Sequence, residues 1–437
     1  MNPTQSWGGM KGRESRQEAI FWKQDISAAL LRDQQYLCYG LGRSYGDSCL
    51  PAQGTALLMS PLNKLRSFDE KSGLISAEAG LSFAELLDFI IPHGWFVPVT
   101  PGTKYVTLGG AIANDIHGKN HHKRGTFGCH VTEMEVLRSN GETIICSPTR
   151  EPEFFAATVG GLGLTGVISW CTVQLIPIES ALVDTETIKT TGLDDFFALE
   201  DESARNWEYS MSWIDCMAQG SKRGRGIFFR GNHARTGRPA EEHAEQARWK
   251  LTVPFHAPTW VLNRWSIRAF NEVYYQKQQT RLKKGRMPID PFFYPLDMIL
   301  HWNRLYGQRG LLQYQFVLSI DHQKELNQIF ELIARSGLGS FLAVLKKFGD
   351  IRSPGMLTFP REGYTLTLDF QNQGERAQAL FKKLDAIVLS AGGRLYPAKD
   401  AMMSPELFQN GYPLWREFSR YIDPKFTSLF WQRVSRG

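Results

Sequence analysis

The stretch Gly109-Gly110-Ala111-Ile112-Ala113-Asn114-Asp115-Ile116-His117-Gly118-Lys119-Asn120-His121-His122 carries the decisive information in this chain of 437 residues. Its histidines invite a metal reading first. His117, His121 and His122, with Asp115 nearby, are residue types that can ligate a divalent cation. Glycines interrupt the segment, so it is not a helix presenting one face. No further cysteine or carboxylate pattern accompanies it, and no metal is expected. The glycines are more telling, because two similar clusters flank them. Upstream lies Gly40-Leu41-Gly42-Arg43-Ser44-Tyr45-Gly46-Asp47, after the apolar run Tyr36–Gly40. Pro101-Gly102-Thr103 leads through Thr107-Leu108 into the central stretch, and Gly160-Gly161-Leu162-Gly163-Leu164-Thr165-Gly166 follows it. Glycines at positive φ let successive backbone N–H groups converge on an anion.

The last cluster contains a literal G-x-G-x-x-G from Gly161 to Gly166. A Rossmann fingerprint must follow a strand and open a helix. Here the preceding Glu151–Thr158 reads as helical and the following Val167–Ile176, dense in β-branched residues, as a strand. The context is inverted, and the Rossmann reading fails. No Walker lysine supports a P-loop. What remains is a long ligand such as a dinucleotide threaded across several loops, set against glycines that only serve turns.

Composition bounds the rest. The chain is 42% hydrophobic and 22% charged, enough for a sizeable core and incompatible with disorder. Its 40 glycines slightly exceed the usual ~7%. A net charge of +6 suits an anionic ligand or membrane surface better than nucleic acid. Basic residues cluster at Lys222, Arg223, Arg225 and Arg230, and again at Arg281, Lys283, Lys284 and Arg286. The six cysteines form no CxxC pair, so reduced thiols in a cytoplasmic protein are expected. Met1–Arg16 shows no signal-peptide core, and no apolar run reaches the ~18 residues of a membrane span. Any membrane contact would be peripheral.

The first part alternates strands and helices. Leu74–Ala79 reads as a strand, and Ser82-Phe83-Ala84-Glu85 as a capping box opening a helix that stops near Pro92-His93-Gly94. Val131–Ser139 and Thr143–Ser147 suggest a hairpin with a two-residue turn at Asn140-Gly141. After Pro177 the glycine clusters disappear. In Leu312–Leu318, Gln313 and Gln315 share one strand face. In Tyr364–Phe370, Thr365, Thr367 and Asp369 do so. Such polar faces usually meet solvent. With helices expected at Gln323–Arg335 and Gly374–Ser390, the middle section reads as α+β on an antiparallel sheet.

GLGRSYGD at Gly40–Asp47, GGAIANDIHGKNHH at Gly109–His122, LQYQF at Leu312–Phe316 and GGRLYPAKD at Gly392–Asp400 together resemble the vanillyl-alcohol-oxidase-type (PCMH-type) flavoproteins. Within these the chain is most similar to the decaprenylphosphoryl-ribose 2-oxidase family. The resemblance implies a split FAD-binding domain, residues 1–180 completed by 394–437, with residues 181–393 inserted as the substrate domain. It implies FAD contacts from Gly40, Leu41, Gly42, Arg43, Ser44, Tyr45 and Gly46, then Gly102, Thr107, Leu108, Gly109 and Gly110. Asn114, Asp115, Ile116, His117, Val167 or Ile168, and Tyr396 would complete them. Tyr45 stands where many relatives carry a flavin-linked histidine, so noncovalent FAD is expected.

The implied reaction oxidises the ribose 2-hydroxyl of a polyprenyl-phosphoryl-ribose to a ketone. FAD would take the hydride, and Lys399 would accept the proton or stay charged and stabilise the developing alkoxide, with Tyr45 relaying or ordering and His117 set against the flavin. Gln313 and Gln315 would meet sugar hydroxyls, Lys346 a phosphate and Phe348 the sugar or lipid. Thr367 and Thr365 stand where mycobacterial relatives carry a cysteine and an asparagine. A hydroxyl lacks thiolate reactivity, so nitroaromatic capture is not expected. The basic clusters could hold the lipid phosphate at an inner-membrane surface. A short-chain reductase would then act on the ketone, and no nicotinamide or nucleic-acid site is expected. A soluble sugar-alcohol or aldonolactone oxidase and a non-catalytic flavoprotein or scaffold remain open alternatives.

Overall fold

The computed structural model describes residues 4–13, 15–244 and 250–436. Three principal sheets organise the chain. A parallel three-stranded sheet joins Arg16–Ala19, Thr55–Leu58 and Tyr36–Tyr39. A five-stranded antiparallel sheet runs in the order Leu65–Asp69, Leu74–Glu78, Val167–Gln174, Val131–Leu137, Thr143–Cys146. An eight-stranded antiparallel sheet is drawn entirely from residues after 181: Leu282–Pro288, Leu182–Thr190, Gly226–His233, Tyr209–Ile214, Ala343–Phe348, Gly363–Gln371, Leu311–Leu318 and Arg394–Leu395.

Local chemistry sets several boundaries. Ser82 Oγ accepts from Glu85 N–H at 3.2 Å while the Glu85 carboxylate accepts from Ser82 N–H at 2.9 Å, so the helix Phe83–Ile90 begins with two satisfied donors. A short 3-10 turn over Ile91–His93 then meets Gly94 at φ +79°, which ends it. The hairpin after Val131 differs from the expected two-residue turn. Arg138 N–H donates to Glu142 C=O and Gly141 N–H to Arg138 C=O, leaving a three-residue loop, Ser139 to Gly141. Only Gly141 takes positive φ, at +87°, whereas a type I′ turn needs two such residues.

In the large sheet one face is apolar and covered by helices. Leu312, Tyr314, Phe316, Leu366, Leu368 and Phe370 pack there with Phe330 and Ile333 of the helix Gln323–Ser336 and with Phe381 and Leu384 of Glu375–Ser390. The opposite face does not meet solvent. Every residue of Leu311–Leu318 is buried, because the glycine-rich loops of the first part cover it. The C-terminal segment returns across both parts. Leu407, Phe408 and Phe430 join the core behind the large sheet, while Phe426 packs with Tyr36 and Leu57 under the parallel sheet. Arg433 bonds Asp47 and Asp400, fastening the first glycine loop to the tail.

The six cysteines are free thiols. No helix among the described residues is long and apolar enough to cross a membrane, and none of them form a metal-ligating group. The three arginines of the first basic cluster are paired internally, while Lys222 is exposed. Arg225 pairs with Asp215 and Glu272, Arg230 with Glu186 and Glu202, and Arg223 with Glu331. The cluster is not the free lipid-facing patch that the sequence suggested.

Candidate active site

A cavity of about 330 Å³ opens between the glycine loops and the polar face of the large sheet. Its two walls are built differently. One wall is rich in glycine: Gly40 to Tyr45, Gly102, Thr107, Gly109, Gly110, Asn114, Ile116, His117, Gly163 and Ile168 line it. The approach is close. A Cβ on Gly40 would lie 2.6 Å from Thr107 Oγ1, and one on Gly109 3.0 Å from the Ala79 Cβ. Thr107 Oγ1 also accepts from Gly110 N–H at 3.2 Å, capping the helix Leu108–Ala113 that opens the second loop. At Gly102 and Gly163 a Cβ would meet no protein atom within 4 Å, since both border the open cavity.

The other wall is a grid of side chains set by strand register. Gln313 lies opposite Asp369 and Gln315 opposite Thr367, while Val344 pairs with Thr367 and Lys346 with Thr365. A one-residue slip would turn all of these into the helix-covered face. The Gln313 amide donates to the Asp369 carboxylate. Gln315 Nε2 donates to His117 Nε2 at 3.0 Å, which places the remaining ring proton of a neutral His117 on Nδ1. Burial and the charges of Lys346, His121 and Lys399 hold the His117 pKa well below its ordinary value, so the ring stays neutral.

Lys399 arrives from the tail. Its ammonium lies 3.8 Å over the Tyr45 ring. Burial pulls its pKa down, Asp369 pulls it back up and Lys346 adds a smaller downward push. Burial likewise raises the Asp369 carboxyl, with Gln313 and Lys399 opposing. Burial raises the Tyr45 phenol, which therefore stays protonated. Lys346, lowered to about 8 by burial, donates among the described residues only to Gly118 C=O, at 3.4 Å. Lys119 behind it is lowered to about 7 by burial and the Lys346 charge, and is held by the Phe292 and Phe293 carbonyls. Cationic groups therefore crowd one part of the cavity; Asp369 acts on Lys399 and Glu200 on Lys346, and Asp297 also lines the cavity.

Several residues anticipated at the site stand behind it. Asp115 is fully buried and bonds Ser353 Oγ at 2.5 Å, Thr358 Oγ1 at 2.6 Å and Gly128 N–H at 3.0 Å. It locks the 353–358 loop to the cradle rather than facing the cavity. Gly46 packs on the Asp400 carbonyl, where any Cβ would clash. Leu108 belongs to the core beneath the cradle, and Val167 to the core under the parallel sheet, leaving Ile168 as the strand residue that faces the cavity. Phe348 packs 4.9 Å from the His117 ring and 4.6 Å from His121, supporting the histidine from behind. Thr365 accepts from Gln315 Nε2 at 3.3 Å and supports that side chain, while Thr367 itself lines the cavity. Tyr396 lines it too, with its hydroxyl donating to Asn114 C=O at 2.8 Å.

Asp369 and Trp302 also line the cavity and were not singled out from sequence. Asp369 had a signal, since it continues the face of Thr367. Trp302 had none; it meets Trp7, 295 positions earlier in the chain, only in the folded state, at 5.8 Å.

Whether a dinucleotide suits this cavity can be judged from its unpaired atoms. His117 Nδ1, Arg43 Nε, Ser48 Oγ and Gln313 Oε1 are buried without a hydrogen-bond partner among the described residues, and all four residues line the cavity. Buried polar atoms of native proteins are ordinarily bonded, so these await a polar ligand. With a glycine cradle beside them, the residues fit FAD.

The fold and cavity thus define an FAD-binding oxidoreductase, and comparison with known proteins agrees. A family profile described as an FAD binding domain matches residues 25–147. Decaprenylphosphoryl-beta-D-ribose oxidase of Mycolicibacterium smegmatis is 39% identical over 395 residues, 88% of this chain and 85% of the relative. An uncharacterised Streptomyces coelicolor protein is 31% identical over 82% of this chain and 99% of its own length. The L-gulonolactone oxidase of Bos taurus is 28% identical over only 34% of each chain. The protein belongs to the decaprenylphosphoryl-beta-D-ribose oxidase family of the vanillyl-alcohol-oxidase-type flavoproteins. It is an FAD-dependent oxidoreductase acting on a sugar CH–OH group.

Proposed function

We propose that the enzyme oxidises the 2-hydroxyl of a polyprenyl-phosphoryl-ribose to the 2-ketone, the first half of epimerisation to the arabinose lipid. The observation that carries this reading is Lys399, half-buried and lowered in pKa by desolvation, lining the cavity together with a glycine cradle and a grid of polar side chains. Lys399 in its neutral form accepts the hydroxyl proton as the C–O bond becomes a carbonyl. Bound FAD supplies the chemistry that receives the hydride from carbon 2. Asp369 sets how readily Lys399 loses its own proton. Gln313 and Gln315 offer donors and acceptors to the sugar hydroxyls. His117, neutral and fixed by Gln315, presents its Nδ1 proton as a donor. Tyr45 orders the lysine beneath its ring face. Lys346, with Lys119 behind it, meets the phosphate.

On this reading residues 1–180 with 394–437 form the cofactor-binding unit and 181–393 the substrate unit. FAD is held without a covalent bond, because the first loop offers the Tyr45 phenol. Acid precipitation should therefore leave the yellow colour in the supernatant. A short-chain NAD(P)H reductase would consume the ketone. The direct test is anaerobic bleaching of the flavin absorbance on adding polyprenyl-phosphoryl-ribose. Equal bleaching by free ribose or an aldonolactone would overturn the substrate assignment.

A further inference from the structure

The described surface carries 14 exposed large hydrophobic residues, and six of them fall within Leu251 to Val273. Leu251 is 73% exposed, Phe255 70%, Trp260 74%, Trp265 68% and Val273 71%. Two elements present them. One is a strap of extended chain, residues 250–263; the other is the helix Arg264–Gln276. The helix turns Ile267, Asn271 and Tyr275 inward and leaves Trp265, Ala269 and Val273, four residues apart, as an apolar row in solvent. A row on a soluble helix normally belongs inside.

The strap is well held, so its exposed aromatics are not an accident of a loose loop. Leu251–Thr252 pairs with Ile299–Leu300, Ala257 N–H donates to Arg304 C=O at 2.9 Å, and Gln371 Nε2 donates to Thr259 C=O at 3.2 Å. These anchor points lie beside the cavity. Leu262 packs in one cluster with Leu296, Trp302 and Leu342, and those three line the cavity wall. The outward apolar strap is therefore backed directly by the wall of the site.

The charge around it is one-sided. Residues 250–286 hold eight Lys and Arg (Lys250, Arg264, Arg268, Lys277, Arg281, Lys283, Lys284 and Arg286) against the single acid Glu272. Glu272 is itself neutralised by Arg225. Of the eight, Lys284 and Arg286 are paired, with Glu186 and Asp184. Exposed tryptophan among cations that, Lys284 and Arg286 apart, have no ion-pair partner among the described residues matches the headgroup zone of an anionic bilayer: the ring suits the interface and each cation is drawn to anionic lipid.

We propose that the strap and helix spanning residues 250–276, with the basic Arg281–Lys283 edge, form the surface by which this protein docks on an anionic lipid bilayer. Docking there would set the Leu296–Trp302–Leu342 wall against the membrane from which a polyprenyl-linked substrate must be drawn. That last step rests on the substrate assignment above, whereas the docking surface does not.

The test separates the two. The full-length, FAD-loaded protein is floated with phosphatidylcholine vesicles, with and without phosphatidylglycerol. The wild type should float only with the anionic vesicles. Arg268→Glu with Lys277→Glu, and separately Trp260→Ser with Trp265→Ser, should each lower the partition coefficient about tenfold or more. Trp260→Tyr with Trp265→Tyr should retain it. None of these residues lines the cavity, so turnover of a short-chain, water-soluble substrate analogue should be unchanged in every variant that keeps its flavin. Flotation unaffected by both pairs of changes, or no flotation at all, overturns the docking surface even if the flavin is still bleached by the lipid sugar. So does a wild-type dimer that the tryptophan changes convert to monomer without altering vesicle binding. Flotation without bleaching sustains the surface and defeats the substrate assignment instead.

Discussion

The two walls of the cavity solve the same problem with opposite materials. The cradle, drawn from Gly40–Tyr45, Gly102–His117 and Gly163–Ile168, is rich in glycine; the sheet wall, drawn from Leu311–Leu318, Ala343–Phe348 and Gly363–Gln371, is built of Gln313, Gln315, Val344, Lys346, Thr367 and Asp369. A dinucleotide can be held by N–H groups that every residue owns, provided no Cβ stands in the way. A sugar alcohol needs particular donors, acceptors and a base at fixed points, so that wall requires specific side chains in register. Changes in the cradle should therefore cost cofactor, and changes on the sheet wall or at Lys399 should cost chemistry with the flavin still bound.

The strongest break of that contrast is at Lys399. Lys399→Ala should lower turnover about 100-fold or more while the flavin spectrum persists. Loss of FAD in this variant would instead make Lys399 part of the cradle. Gly40→Val tests the other wall. Its side chain would enter the space of Thr107, and overpacking of about 1–3 kcal/mol should weaken FAD about tenfold or more. Bound flavin per protein, read by absorbance after dialysis, is the measure.

Lys346→Met removes one cation from the sheet wall. KM for the phosphorylated substrate should rise about tenfold with kcat nearly unchanged, since the contact persists from ground state to transition state. Asp369→Asn should have the subtlest effect. A lysine base works when deprotonated, so activity rises with pH as Lys399 loses its proton. The Asp369 charge raises the Lys399 pKa. Removing it should move the acidic limb of the kcat profile to lower pH. A shift to higher pH, or none, would mean that Asp369 does not act through Lys399.

The cradle was the more legible wall. Its glycines cluster along the chain, and the inverted helix–glycine–strand order around Gly161–Gly166 excludes a Rossmann site. The sheet wall was legible only as alternation. Gln313, Gln315, Thr365, Thr367 and Asp369 were visible as polar faces, but a polar face on an antiparallel strand ordinarily meets water. Nothing local distinguishes Thr367, which borders the cavity, from Thr365, which supports Gln315 from behind. Asp115 shows the converse. Its place inside the most distinctive motif suggested cofactor contact, yet its oxygens are occupied by Ser353, Thr358 and Gly128. The basic cluster at 222–230 was misleading for a similar reason, because its acids come from other elements.

By itself the sequence determined the strand and helix types and the glycine loops suited to a long ligand, which depend on residue chemistry and on spacing within a few positions. FAD and Lys399 as candidate base followed from the resemblance of four motifs to a known family. Only the tertiary structure decided which polar face became an active-site wall, which motif residues stand behind it, and that Trp7 meets Trp302 beside the cavity. It also decided that the strap at 250–263 turns its aromatics outward. Those outcomes depend on what covers each surface, and the covering segments lie tens to hundreds of residues away along the chain.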